Sequence, residues 1–341
     1  MTGLVRIDGS MGEGGGQVLR TALALSLTTR RPLEITRIRA GRQKPGLMRQ
    51  HLTAVQAAAA VGSAHAKGTE IGSRDLRFEP GALRNGSFDF SVGTAGSTTL
   101  VLQTILPALV LAGGPSTVRL RGGTHNPMAP PFDFLEKAFL PLVGRMGATV
   151  DAVLVQPGFY PAGGGECIVT VTPAARLRPL VLLERGEVKR RAARAVVSKL
   201  SREIATRELA VVSRLLGWEA EKLEAVSVDS SGPGNVVTLE IESAGLTEVF
   251  TGFGEKGISA EAVAEKVARE ARDYLASGVP VGEHLADQLL LPMALAGSGA
   301  FRTTPLSRHA TTNIEVIRAF LPVRFDVEAD EKGNCVVRFS G

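Results

Sequence analysis

Aromatic residues are scarce in this chain, at 5% of 341 residues with one tryptophan and two tyrosines. Stacking on aromatic side chains is therefore excluded as its main way of gripping bases. Cysteine is scarcer still. Cys167 and Cys335 stand in unrelated contexts without metal-ligand spacing, which points to two buried thiols in a reducing, cytoplasmic setting. No apolar run is long enough to cross a bilayer; the longest, "LVLQTILPALVLAGG", is broken by Gln103 and Pro107. The first residues, "MTGLVRIDGS", lack the apolar centre of a signal peptide. A soluble protein with no membrane partner is expected. The formal charge of +5 is too small for a general nucleic-acid sponge, but leaves room for a local basic site. What is present, 44% hydrophobic and 21% charged residues, suits a globular chain of more than one core.

Two common motifs are also missing. There is no G-x-S-x-G, so a serine-hydrolase reading lacks support. "GEGGGQ" at 12–17 has neither the lysine nor the Ser/Thr of a phosphate-binding Walker loop. It remains a flexible turn before a helix N-terminus, where free amides can hold an anion. Glu13 in that turn suits a divalent cation bridging phosphates, or it is a solvated glutamate. Acidic residues are absent between Glu34 and Glu70, and Arg37, Arg39, Arg42, Lys44 and Arg49 fill that gap, followed by Gln50 and His51. Arginine forks pair bidentately with phosphate, so this loop is a candidate phosphate site as well as a solvated face.

The histidines divide unevenly. His51 reads as a helix residue and His65 as a loop residue, both without an evident role, and His125 lies near a candidate ligand loop. "GEHLADQ" at 282–288 puts His284, Asp287 and Gln288 at a helix start, where Glu283 and Asp287 could equally serve as dipole-matching caps. His309, in "SRHATTNIEV", reads as a loop residue that is either a spacer or the reacting group. No second histidine or cysteine stands at metal-site spacing to it, which disfavours zinc.

The chain repeats itself. Three glycine-rich turns lead into apolar helices, "GGGQVLRTALALSL", "GSTTLVLQTILPALVLAGG" and "EHLADQLLLPMALAGSG". Arg20 aligns on Gln103, Gln103 on Gln288 and Pro107 on Pro292, while Arg39, Gly41 and Pro45 align on Arg121, Gly123 and Pro127. A period of roughly 80 residues is too long for a solenoid and fits a small α/β unit of strand, helix, strand, helix and two strands. Residues 185–277 stand outside the pattern. There "ERGEVKRRAARAVVSKLSREIATRELAVVSRLLGW" has helical spacing, "AVSVDSSGPGNVVTLEIES" reads as two strands around a turn, and "SAEAVAEKVAREARDYLASG" reads as a serine-capped amphipathic helix. The expectation is a smaller α/β domain inserted between the second and third units. Its basic "EVKRRAARAVVSK" stretch is either an RNA guide or a solvated helix face.

The segments "DGSMGEGGGQVLRTALALS", "IRAGRQKPGLMRQHLTAV", "GGTHNPMAPPFDFL", "FYPAGGGE", "GEHLADQLLLPMAL" and "SRHATTNIEVI" together resemble the RNA 3′-terminal phosphate cyclase family, nearly end to end. The resemblance implies a large domain of three βαβαββ units, 1–184 and 278–341, with a smaller α/β domain at 185–277. It implies an ATP-dependent enzyme acting on RNA with a 3′-terminal phosphate, with Mg or Mn as the divalent cation. A histidine takes AMP from ATP and passes it to the RNA 3′-phosphate, and the neighbouring 2′-hydroxyl then closes a 2′,3′-cyclic phosphate. The family's nucleophile falls on His309 and its metal-binding glutamate on Glu13. Its phosphate-binding residues fall on Arg20, Arg39, Arg42 and Gln50. Its nucleotide contacts fall on Gln103, on Pro130 or Pro131, and on His284, Leu285, Ala286, Asp287 and Gln288. Where relatives often carry an aromatic over the adenine, this sequence has His284. Two competing readings are a non-catalytic, cyclase-like ribosome-assembly factor and an enolpyruvyl-type transferase built from repeated α/β units. The first departs from the catalytic pattern at the histidine, which is present here, and the second has no need of "SRHATTN".

Overall fold

The computed structural model describes residues 3–341. The first sheet is built from β1 (Val5–Asp8), α1 (Gly16–Thr29), β2 (Leu33–Thr36), α2 (Arg49–Val61), β3 (His65–Lys67) and β4 (Leu76–Glu79). Its strand order is β1-β2-β4-β3, with β1 and β2 parallel and the other pairs antiparallel. Alternation fixes which face is inside: in β4, Leu76 and Phe78 are buried while Arg77 and Glu79 face solvent. α1 is apolar nearly all round and is buried over most of its length, as expected of a helix packed on more than one side. His65 belongs to the edge strand β3 rather than to a loop.

The next stretch gives β5 (Gly86–Ser91), α3 (Thr98–Leu109) and β6 (Ser116–Gly122). A short α4 (Phe132–Phe134) then runs through a π turn (Leu135–Phe139) into α5 (Leu140–Arg145), followed by β7 (Thr149–Gln156) and β8 (Gly165–Thr172). This sheet has the order β5-β6-β8-β7. β9 (Leu180–Leu182) follows and pairs in parallel with a strand far along the chain.

Between lie β10 (Val188–Ser198), α6 (Arg202–Leu216), β11 (Leu223–Ser227), β12 (Gly234–Ser243), β13 (Thr247–Phe253) and α7 (Ala260–Ser277). They form a sheet of order β11-β10-β12-β13 with its own core, which includes Trp218, Leu239 and Val267. The helical spacing read at 185–200 is overturned: Val188–Ser198 is an inner strand. Its Ala193, Ala195 and Val197 are buried in that core, whereas the basic residues Lys189, Arg190 and Arg191 sit at its exposed start. Tertiary burial has outweighed local spacing. The strands either side of the Ser-Gly-Pro-Gly turn are present but not adjacent, since β10 lies between β11 and β12. The amphipathic helix α7 is capped by Ser259, whose hydroxyl accepts from the Ala262 N–H.

The chain closes with α8 (Glu283–Ala296), β14 (Ser298–Thr303), α9 (Arg308–Phe320), β15 (Arg324–Ala329) and β16 (Cys335–Ser340). Read from β9, the last sheet runs β9-β14-β16-β15, the same order as the first two. The stretch 185–277 therefore departs after the first strand of this sheet, not ahead of it. One continuous core joins the three sheets through α1, α3, α8 and α9. Both cysteines are free and buried. Among the described residues, no helix is long and apolar enough to cross a membrane.

Candidate active site

The glycine-rich turn before α1 is folded onto the first turn of α9. Gly12 has φ 54, and a Cβ there would lie 2.0 Å from Thr312 Oγ1, so only glycine fits. The next residue, Glu13, donates its backbone N–H to Thr312 Oγ1 at 3.1 Å. α9 begins at Ser307, whose hydroxyl accepts from the Ala310 N–H. His309 thus stands in the first turn of a helix, not in the loop expected from its small polar neighbours. Its side chain is 54% exposed.

A chain of hydrogen bonds fixes the imidazole. Gln17 Nε2 donates to Asp287 Oδ1 at 2.6 Å, and Gln17 Oε1 lies 2.9 Å from His309 Nδ1. A carboxylate only accepts, so the amide nitrogen of Gln17 faces Asp287 and its carbonyl faces the imidazole. In the neutral ring Nδ1 then carries the proton, and Nε2 keeps its lone pair. Asn313, one turn after His309, donates to Asp287 Oδ1 at 3.1 Å and accepts from Thr21 Oγ1 at 2.8 Å. Burial pushes the Asp287 carboxyl above its ordinary value, opposed by the bonds from Gln17 and Asn313 and by the charges of His309 and Arg20.

Beside this chain lies a cationic cluster. Burial draws the Arg20 guanidinium down to about 10 against the pull of Asp287 and Glu13, and Arg39 and Arg42 deepen the fall. Arg42 pairs with Glu13 Oε2. Arg39 has φ 57 and turns its guanidinium onto its own loop, donating to the carbonyls of Lys44 at 2.6 Å and Gly46 at 2.7 Å. Gln50 Oε1 accepts from the Ser97 N–H at 3.0 Å, tying α2 to the start of α3. Its neighbour His51 is brought down to about 3 by burial and by Arg20, Arg39 and Arg42, so it is neutral. It accepts from the Met48 N–H. Glu13 Oε1 is buried without a hydrogen-bond partner, 4.0 Å from His309 Nδ1. A buried carboxylate oxygen left unpaired is costly and fits a position completed by a cation. Among the described residues, no group of three or more His, Cys, Asp or Glu could hold a metal ion.

From His309 a cleft of about 400 Å³ runs between the large core and the inserted stretch. Arg20, Gln103, Pro130, Pro131, His284, Asp287 and Gln288 line one side. Gln103 Nε2 donates to Gln288 Oε1, so the two aligned glutamines meet. Leu285 and Ala286 do not line it: the helical turn rotates both side chains into the core, where they are fully buried. His125 braces the neighbouring loop, bonded to Asp133 Oδ2 at 2.9 Å and Thr124 Oγ1 at 2.8 Å. The opposite side comes from β13 and α7 and includes Phe250, Phe253, Lys266 and Glu270. Sequence reasoning missed these, together with Gln17 and Asn313. Only the last two had a local signal, in the quoted "GEGGGQ" and in the four-residue spacing from His309.

A family model described as RNA 3′-terminal phosphate cyclase matches residues 11–327. Among curated relatives, the RNA 3′-terminal phosphate cyclase of Salmonella typhimurium is 52% identical over 336 residues, 98% of this chain and 99% of that one. That of Koribacter versatilis is 52% identical over 333 residues, covering 97% and 93% of the two chains. That of Ralstonia nicotianae is 53% identical over 334 residues, covering 97% and 96%. A match that spans Glu13, the arginine loop, α8 and His309 alike, at more than half identity, makes this chain a member of the RNA 3′-terminal phosphate cyclase family.

Proposed function

We propose that the chain converts an RNA 3′-terminal phosphate to a 2′,3′-cyclic phosphate at the expense of ATP, in three transfers. His309 Nε2 attacks the α-phosphorus, the bond to the bridging oxygen breaks, and pyrophosphate leaves. An oxygen of the RNA 3′-phosphate then attacks the same phosphorus and breaks the P–N bond, giving an RNA(3′)pp(5′)A end. Lastly the vicinal 2′-hydroxyl attacks the 3′-phosphorus and AMP leaves. A phosphate monoester would otherwise have to expel oxide, so adenylylation supplies the leaving group. The final closure needs little beyond positioning, which is worth ~7–11 kcal/mol in well-oriented systems.

One observation carries this reading: Gln17, itself oriented by Asp287, holds His309 Nδ1 and leaves Nε2 free at the end of the cleft. A neutral imidazole is a competent nucleophile near neutral pH. The nucleotide would occupy the cleft against Pro130, Pro131, Gln103, His284 and Gln288, and Leu285 and Ala286 would contribute through the helix backbone alone. Arg20, Arg39, Arg42 and Gln50 would neutralise and orient phosphate oxygens. Glu13 would hold a divalent cation, Mg or Mn, with its unpaired Oε1, and such an ion offsets phosphate charge when bound. We further infer one catalytic domain of three βαβαββ units, 1–184 and 278–341, carrying 185–277 as a second domain.

The test is incubation with α-labelled ATP, followed by mapping of the modified residue by mass spectrometry. AMP on His309 is expected. A chain that takes up no label, or takes it up elsewhere, overturns the reading, and the former outcome is what a non-catalytic assembly factor gives.

A further inference from the structure

The link from the inserted domain back to α8 looks in sequence like a loose joint, "SGVPVG". In the structure every residue of it is fastened. Gly278 ends α7 at φ 70, and its carbonyl accepts from Arg302 Nη2 at 2.7 Å. Val279 and Val281 are fully buried. The Pro280 carbonyl accepts from the Tyr274 hydroxyl at 2.8 Å, and Val281 donates its N–H to the Arg302 carbonyl at 3.2 Å. Gly282, the N-cap of α8, donates its N–H to the carboxylate of Glu248 on β13.

Glu248 is 2% exposed and forms no ion pair among the described residues. The charged and titratable groups packed nearby are Tyr274 and, over its ring, Arg185 at 5.1 Å. Burial pushes the carboxyl up to about 8, held back only by backbone bonds from Gly282 and Val249. Such a group is expensive to keep inside a protein unless its place is required. Its place is the end of a helix that carries, within its first two turns, the cleft-lining His284 and Asp287, and Asp287 orients Gln17 and hence His309. The strand that bears it also supplies Phe250 and Phe253 to the facing wall.

We propose that Glu248 is a positioning residue for the nucleotide: by holding the Gly282 N–H it sets the first turn of α8 at a fixed distance from the inserted domain's wall of the cleft. The proposal rests on the reading of that cleft as the ATP site, and it gives the inserted domain a part in the reaction. Gly282 is matched to it, since a Cβ there would lie 3.1 Å from the Glu248 carboxylate.

The test compares the full chain with Glu248→Gln, Glu248→Asp and Glu248→Ala. Gln keeps an acceptor at the same reach, Asp withdraws it by one methylene, and Ala removes it. Amide hydrogen exchange across residues 282–288 reads the contact without any nucleotide. Calorimetry with α,β-methylene ATP, which cannot transfer AMP, reads its consequence. Binding of a fluorescent 3′-phosphorylated oligonucleotide is the control. Gln should behave as the parent chain. Asp and Ala should exchange faster and bind the analogue about tenfold more weakly, the worth of one buried hydrogen bond, with RNA affinity within about twofold. Should Ala fail to fold, the Gln and Asp pair decides. Unaltered exchange or unaltered analogue affinity in Asp, or equal loss for both ligands, overturns the proposal. A parent chain that binds the analogue but takes no label from ATP defeats the catalytic reading alone.

Discussion

His309 Nδ1 sits 2.9 Å from Gln17 Oε1, and the other end of that amide donates to Asp287 at 2.6 Å. The direction of the amide sets which ring nitrogen is free to react. His309→Ala and His309→Asn should form no covalent AMP while keeping the parent melting temperature, because the side chain is half exposed and carries no core. Gln17→Met fills the space but releases the ring, and should slow adenylylation by about ten- to hundredfold, as losses of orienting partners commonly do. The rate of label uptake checks both, and parent-like uptake by Gln17→Met would remove the relay from the mechanism.

Glu13 has one oxygen on Arg42 and one buried and unpaired. If the latter recruits the cation, Glu13→Gln should raise the concentration of divalent ion that adenylylation needs and recover in part at high Mg or Mn. Titration of the metal at saturating ATP checks this. A metal dependence identical to the parent's would leave the glutamate as an orienter of Arg42 only.

The two arginines of the acid-free loop should behave differently, because their contacts differ. Arg42 faces Glu13, whereas Arg39 closes its own loop through the Lys44 and Gly46 carbonyls. Arg42→Ala and Arg39→Ala should each slow AMP transfer from adenylylated enzyme to a 3′-phosphorylated oligonucleotide by about one to two decades, the worth of a charge-assisted phosphate contact. Lysine should rescue Arg42 in part and Arg39 little, since both loop carbonyls are met by the terminal Nη1 alone, at a reach the shorter lysine side chain lacks. Single-turnover transfer measures it. Normal transfer with impaired adenylylation would put both on the ATP phosphates.

Glu208 is fully buried in the inserted stretch, accepts from Asn235 Nδ2 at 2.9 Å, and is pushed up to about 7 by burial. Between its ordinary value of 4.5 and about 7 the folded chain holds a proton that the unfolded chain has lost. Stability from this group is therefore whole below about 4.5 and declines as pH rises through about 7. Glu248, raised to about 8, acts in the same direction. The melting temperature should fall between pH 5 and pH 8.5. Glu208→Gln should flatten that fall by on the order of 1–3 kcal/mol. Thermal melts at the two pH values check it, and an equal fall in the variant would locate the proton elsewhere.

Much of this site was legible because its residues sit in local patterns. The three glycine-led apolar stretches became α1, α3 and α8, and their aligned glutamines, Gln103 and Gln288, touch. Glu13, Arg20, Asp287 and His309 were each readable from their own neighbourhood, yet only packing of α1 on α8 and α9 brings them together. Three things were not legible. His309 read as loop because Thr311, Thr312 and Asn313 are poor helix formers, and the Ser307 cap and the buried Ile314, Val316 and Ile317 overrule them. Val188–Ser198 read as helix because its arginines are spaced like one, and its buried face is carried mostly by small alanines, Ala193 and Ala195, which do not mark a strand. The wall from Phe250 to Glu270 had no signal at all, since nothing local ties it to Gln103.

The short strand β9 finds its partner β14 only across the whole inserted stretch. During synthesis the third sheet therefore stays open until the ribosome has passed residue 303, and its first strand waits unpaired. The inserted stretch can fold in that interval, because its strands and helices are contiguous and its core is its own. Once folded, it brings Arg185 against the end of α7, with the Arg185 guanidinium on the Tyr274 and Leu275 carbonyls at 3.0 and 3.1 Å. A long, entropically costly closure is thereby shortened to the stretch from Leu275 through α8 to Ser298. The insertion is in this sense a clasp for the nascent chain. Chains truncated inside it should expose β9 and the helix faces around it to aggregation, whereas an excision that joined residue 184 directly to residue 278 would keep the last sheet within reach.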